Sequence, residues 1–247
     1  MTRRRAGLVA LFGAVVLALL AEPVAAQPSA STTVDQIWNL NMDLLAIAIP
    51  ITLLVEGILI YTVWRFRNKE TPLPTMENRR LEITWTIATA VILLFVGVAS
   101  YQVMASPYVT AESTNDAQLQ EETPEHIQVE AYRYGWTFQY NGSSFEEEAA
   151  VSTTTDLKIP ANKDVRLRVT SDDWLHAFHV PSLGLKADAF PDQYNYLQTQ
   201  ATETGSYQLY CAEYCGSGHS KMLGTVEVVP QDEYEEWLEE QQSESED

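Results

Sequence analysis

Two long apolar stretches govern what this chain can become. Leu44 to Trp64 carries a single charged residue, Glu56, and Ile83 to Met104 carries none. At a rise of about 1.5 Å per residue, each is long enough to cross the ~30 Å hydrocarbon core of a bilayer as a helix. Between them lie Arg65, Arg67, Lys69, Arg79 and Arg80 against Glu70, Glu77 and Glu82. The positive-inside rule therefore puts this short loop in the cytoplasm and both flanking segments outside. Tyr61, Trp64, Trp85 and Tyr101 lie near the ends of the stretches, where amphipathic rings favour the interface. A shorter apolar run, Ala6 to Ala21, follows Arg3, Arg4 and Arg5 and leads to small residues ending at Ala26. That is the pattern of an export signal, with cleavage expected after Ala26.

Past Met104 the composition turns polar. Residues 106–125 are acidic and punctuated by Pro107 and Pro124, as in a linker. Short alternating runs follow at 127–131, 136–140, 156–159, 165–170, 206–210 and 225–229, which predict a β-sandwich or barrel. The expected organisation is a signal at 1–26, a helix hairpin at 27–105, the linker at 106–125, a β domain at 126–230 and an acidic tail at 231–247. Asn141-Gly142 reads as a hairpin turn between aromatic runs more readily than as part of the glycosylation acceptor Asn141-Gly142-Ser143. In the tail, Tyr234, Trp237 and Leu238 fall at helical spacing, so a short helix is expected to dock one face there.

The chain carries 34 Asp and Glu against 15 Lys and Arg, and from Ser106 onward seven basic residues stand against 27 acidic ones. Nucleic acid is excluded as a partner, because binding it rests on Lys and Arg displacing counterions. Such a field steers a cationic redox partner or serves solubility in a salty medium, and charge alone leaves both open.

Two cysteines exclude a four-thiolate zinc or iron–sulfur site and a disulfide-dense scaffold. Both fall in Cys211-Ala212-Glu213-Tyr214-Cys215-Gly216-Ser217-Gly218-His219-Ser220-Lys221-Met222, with His176 upstream. By itself Cys-x-x-x-Cys in an exported domain reads first as a disulfide. Flanked by imidazole and thioether, the pair becomes a soft donor set that selects copper over calcium or magnesium. Zinc on Cys211, Cys215, His176 and His219 is the other metal reading, and Met222 argues against it. A mononuclear blue copper site needs one Cys, and this loop has two. Two thiolates could instead bridge two copper ions, each taking one His, with Met222 and a backbone carbonyl as weak outer ligands. That is an electron-transfer site.

The helix hairpin, Asp173-Trp174-Leu175-His176, Val180-Pro181-Ser182-Leu183-Gly184-Leu185-Lys186 and the cysteine loop together resemble subunit II of haem-copper cytochrome c oxidases, over about Asn39 to Pro230. The resemblance implies a membrane-anchored all-β protein: a two-helix transmembrane hairpin followed by a cupredoxin-like Greek-key sandwich holding binuclear copper-A. By position, Cys211 and Cys215 would bridge, His176 and His219 would be terminal ligands, and Met222 and the Glu213 carbonyl axial ones. The Glu213 carboxylate would also help bind magnesium or manganese at the interface with subunit I. Haem and the oxygen chemistry would lie in subunit I. The resemblance places the chain in the plasma membrane of a prokaryote, with both mature termini and the copper domain outside.

Leu81-Glu82-Ile83-Thr84-Trp85-Thr86 resembles the start of the family's second helix, where a glutamate lies at the mouth of a proton channel. Glu82 inherits that role, beside the plainer one of an acid at a helix N-terminus. Glu56 is expected to face subunit I. Arg133-Tyr134-Gly135-Trp136 resembles the aromatic segment beneath the copper site; mitochondrial-type members have Trp at the Tyr134 position, where the electron arrives. Tyr134 and Trp136 are thus the candidates for electron uptake, with a core role the plainer reading of Trp136. His126 and His179 read as structural. No Cys-x-x-Cys-His haem attachment sequence is present, so the donor is a separate protein, cytochrome c or a small blue copper protein. The alternatives are a stand-alone membrane-anchored copper carrier, a copper-A subunit of another respiratory reductase, and a β domain with a plain disulfide.

Overall fold

In the computed structural model, residues 29–69, 71, 74, 76–110, 124–142, 144–146, 149–154 and 156–245 are described. The expected signal at 1–26 and most of the linker fall outside them. Helix α1 spans Thr32–Phe66 and α2 Arg79–Met104. Their apolar side chains lie bare along the surface, Leu53, Val63 and Leu94 among the most exposed, which only lipid or neighbouring subunits can cover. The 35 residues of α1 measure about 52 Å, some 20 Å more than the bilayer core. The surplus is its polar front, which starts twelve residues before Leu44. Ser31 caps it, its Oγ accepting from Val34 N–H.

The β domain is a sandwich of two five-stranded sheets. Its strands are β1 Glu125–Tyr132, β2 Gly135–Tyr140, β3 Val151–Thr154, β4 Asp156–Pro160, β5 Val165–Ser171, β6 His176–Val180, β7 Leu185–Ala189, β8 Asn195–Thr199, β9 Gly205–Cys211 and β10 Leu223–Val229. One sheet runs β3-β2-β1-β5-β8 and the other β4-β10-β9-β6-β7. Pairs β1/β5 and β4/β10 are parallel and the rest antiparallel. Alternation supplies the core: Ile127, Val129 and Ala131 from one sheet meet Phe178, Leu209 and Val226 from the other. Asn141-Gly142 is a turn, with Gly142 at φ 67°, but β2 and β3 pair across a ten-residue connection rather than a two-residue hairpin. The tail forms α3, Gln231–Ser245, which buries Tyr234 and packs Trp237 and Leu238 on the core.

The helices and the sandwich are tied together. Ser31 Oγ donates to the Leu183 carbonyl at 2.8 Å, Thr32 N–H to the Gln200 carbonyl at 3.0 Å, and Thr33 Oγ1 to the Tyr108 carbonyl at 3.0 Å. Tyr108 Oη donates to Asp164 Oδ1 at 2.7 Å.

Candidate metal centre

His176 opens β6, Cys211 closes β9, and Cys215, His219 and Met222 lie between β9 and β10, so one end of the second sheet gathers all five. Strand register enforces this. Phe178 pairs with Cys211 and Tyr210 with Leu223, while Cys211 N–H donates to the Met222 carbonyl at 3.1 Å and Ala212 N–H to the Ala177 carbonyl at 3.0 Å. Within the loop Gly216 takes φ 134°, a conformation open to glycine alone, and a 3-10 turn at His219–Lys221 brings the chain back to β10.

The donor atoms are close and unbonded. Cys211 and Cys215 are free, with Sγ atoms 3.9 Å apart, against about 2.05 Å in a disulfide. His176 Nδ1 lies 3.8 Å from Cys211 Sγ and 3.2 Å from Met222 Sδ. His219 Nδ1 lies 3.6 Å from Cys215 Sγ, and Met222 Sδ 3.9 Å from the same sulfur. The Glu213 carbonyl oxygen is 3.1 Å from Cys211 Sγ. Donor atoms of His176, Cys211 and Cys215 all fall within 4.8 Å of one another, and all three residues are buried.

Asp173, which has no role in the sequence motif, places its Oδ1 2.9 Å from His176 Nε2, and the Arg133 backbone N–H donates to its Oδ2 at 3.1 Å. With Nε2 engaged, Nδ1 is left to face the sulfurs. Burial raises the Asp173 pKa, but the bonds from His176 and Arg133 outweigh it and hold the carboxyl below its usual range. Burial, then the neighbouring Cys211, push the Cys215 thiol up to about 11. A pocket so hostile to a second thiolate suits a cation seated between the sulfurs. An ion held at metal–sulfur distances of about 2.3 Å would reach both. Two thiolates, two imidazoles and a thioether fit copper, and Met222 Sδ inside the cluster weighs against zinc.

Tyr134 lies across the outside of the ligand loop, so close that a side chain at Gly216 would collide with its hydroxyl and one at Gly218 with its ring. Trp136 is fully buried, edge-on to Phe178 with centroids 5.7 Å apart. His126 meets Phe145 edge to face and His179 meets Tyr210. Glu82 lies in the first turn of α2 and Glu56 within α1, both exposed in the single chain.

A family model of the transmembrane domain of cytochrome c oxidase subunit II matches residues 17–103, and one of its periplasmic domain matches 141–229. Subunit 2 of the Cereibacter sphaeroides oxidase is 32% identical over 86% of this chain and 78% of its own length. The chain belongs to the cytochrome c oxidase subunit II family. A subunit 2 relative in Rickettsia bellii is 30% identical over 86% of this chain and 81% of its own. The solved periplasmic domain of subunit II from Bradyrhizobium japonicum aligns at TM-score 0.45 and 25% identity, over 51% of this chain and 99% of that one. As a family member, the chain is anchored by two helices, carries a cupredoxin-like domain on the outer face and serves as an oxidase subunit.

Proposed function

We propose that this subunit takes electrons one at a time from an external redox protein at a binuclear copper centre held by His176, Cys211, Cys215 and His219, and passes them to haem in subunit I, where oxygen is reduced. The observation that carries this reading is the pair of unbonded sulfurs 3.9 Å apart, each with its own imidazole nitrogen within 3.8 Å. A copper pair bound there supplies a one-electron relay. The protein's own groups set the conditions for it. Cys211 and Cys215 would bind as thiolates, whose two charges would offset those of two Cu(I). Asp173 fixes the His176 ring, while Met222 Sδ and the Glu213 carbonyl stand by as weak outer ligands. Burial of Cys211, Cys215 and Met222 keeps water away, so a change of charge meets little solvent reorganisation.

Further roles follow from the same reading. The half-buried Glu213 carboxylate takes part in a magnesium or manganese site against subunit I. Electrons arrive across Tyr134, with Trp136 beneath it, and Glu82 stands at the mouth of a proton channel. The donor is cytochrome c or a small blue copper protein, and the membrane is a prokaryotic plasma membrane. Copper analysis and low-temperature EPR of the full-length chain test the centre. Two coppers sharing one unpaired electron, with a seven-line hyperfine pattern, are expected. One copper with a four-line pattern would make this a blue copper carrier, and a copper-free Cys211–Cys215 disulfide would overturn the reading.

A further inference from the structure

We propose that Trp174 is the aromatic anchor on which a basic one-electron donor docks, an inference that rests on the electron-accepting role above. Trp174 sits on the turn from β5 to β6, between Asp173, which holds His176, and Leu175, which adjoins it. The outer domain buries Trp136 completely and packs Trp237 on its core, yet leaves Trp174 54% exposed. A large apolar ring held in water beside a metal site marks a surface made for contact.

The ring is held in place. The Arg133 guanidinium stacks 4.8 Å from its centre. Arg133 is itself fastened to Asp173 Oδ2, through its backbone N–H at 3.1 Å and its Nε at 3.6 Å. The Trp174 backbone N–H donates to Ser171 Oγ at 3.3 Å and fixes the turn beneath it. Docking therefore orders little that is not already ordered. Trp and Arg are also the residue types in which binding energy concentrates.

Exposed aromatics continue the surface around the ligand loop. Tyr134 follows Arg133 and covers Gly216 and Gly218, while Tyr214, 75% exposed, lies 5.9 Å from the His219 ring. The same segments carry Asp172, Asp173 and Glu213, with Arg133 and Lys221 as their cations, and Glu130 lies within electrostatic reach of Asp172. With seven basic and 27 acidic residues beyond Ser106, the domain fits a soluble partner whose apolar contact face is ringed by lysines. A donor seated on Trp174 lies one residue from the carboxylate that orients His176 and two from His176 itself.

The test is binding of zinc-porphyrin cytochrome c, a basic and redox-inert probe, to the assembled detergent-solubilised oxidase at low ionic strength. Trp174→Ala should weaken binding about ten-fold and Trp174→Phe less than about three-fold. Tyr194→Ala removes an exposed aromatic stacked on Arg168 beside the other sheet and should leave binding unchanged. The copper EPR signal of Trp174→Ala should match that of the parent, which shows the site intact. Unchanged binding in Trp174→Ala overturns the proposal, as does equal loss in Tyr194→Ala or no measurable binding by the parent. Loss of the copper signal in the parent chain would instead count against the metal centre, and is read separately.

Discussion

Met222 is fully buried, with its sulfur 3.2 Å from His176 Nδ1, so its chemistry and its packing can be separated by one substitution. Leucine keeps most of the volume, a swap that typically costs less than about 1.5 kcal/mol, and removes the thioether. On the proposed copper centre, Met222→Leu should retain two coppers by EPR and shift the reduction potential in a redox titration, because Met222 would act there as a weak outer ligand that tunes the site without building it. A variant that lost its copper would make Met222 a structural ligand instead. Asp173→Asn tests the support of His176. It keeps an acceptor for the Arg133 N–H but gives up the anion beside Nε2, and chelator competition should show copper affinity about 10- to 100-fold weaker; an unchanged affinity would leave Asp173 without a part in the site. The five candidate side-chain ligands were legible because four of them crowd one loop, in an order that chemistry restricts. Asp173 was not, although it stood three residues from His176. An acid at that spacing becomes a partner only when the β5–β6 turn folds it back, and the turn carries no local signature.

The apolar stretches foretold helices over 44–64 and 83–104, yet α1 begins at Thr32. A membrane-length reading picks out only what lipid must cover, whereas the polar front of α1 is settled by tertiary contacts with Leu183, Gln200 and Tyr108. Strands β3, β6, β7 and β8 escaped for a related reason. Strand β6 is buried at four of its five positions and so shows no alternation, while β8, Asn-Tyr-Leu-Gln-Thr, has little apolar content to alternate. The seam between α2 and the sandwich has its own test in Tyr108. Burial, and then the bond to Asp164, raise its phenol to about 12, from an ordinary value near 10. A phenol raised in the folded state contributes in full below about pH 10 and loses its contribution as pH climbs through 12, when a phenolate would face the Asp164 carboxylate. Gln198 Nε2, 3.3 Å from Asp164 Oδ2, completes the group. Protease susceptibility of the join between α2 and β1 should therefore rise over pH 10–12 in the parent, and Tyr108→Phe should be flat across that window. Identical profiles would show that the bond does not hold the seam.

The parallel pairs β1/β5 and β4/β10 join segments far apart in the chain, a choice that no local pattern announces and that the two-sheet core settles. Net charge, in contrast, is read directly from the sequence, and it makes a prediction about stability. Among the described residues, ion pairs in the outer domain include Lys163–Glu125 at 2.7 Å, Lys158–Glu227 and Arg133–Asp173 at 3.6 Å, and Arg168–Glu146 at 4.0 Å. Partly exposed pairs contribute about 0–1 kcal/mol each, so screening them costs little. The excess of 27 acidic over seven basic residues beyond Ser106 repels itself throughout the compact state. Salt shortens the screening length from about 30 Å at 0.01 M to about 3 Å at 1 M, and the repulsion it removes outweighs the attraction. The unfolding midpoint of the outer domain, followed by near-UV circular dichroism in the full-length chain, should therefore rise with sodium chloride over that range, most steeply at the low end. A midpoint that fell with salt would mean that ion pairs, rather than the excess charge, govern the domain's electrostatics.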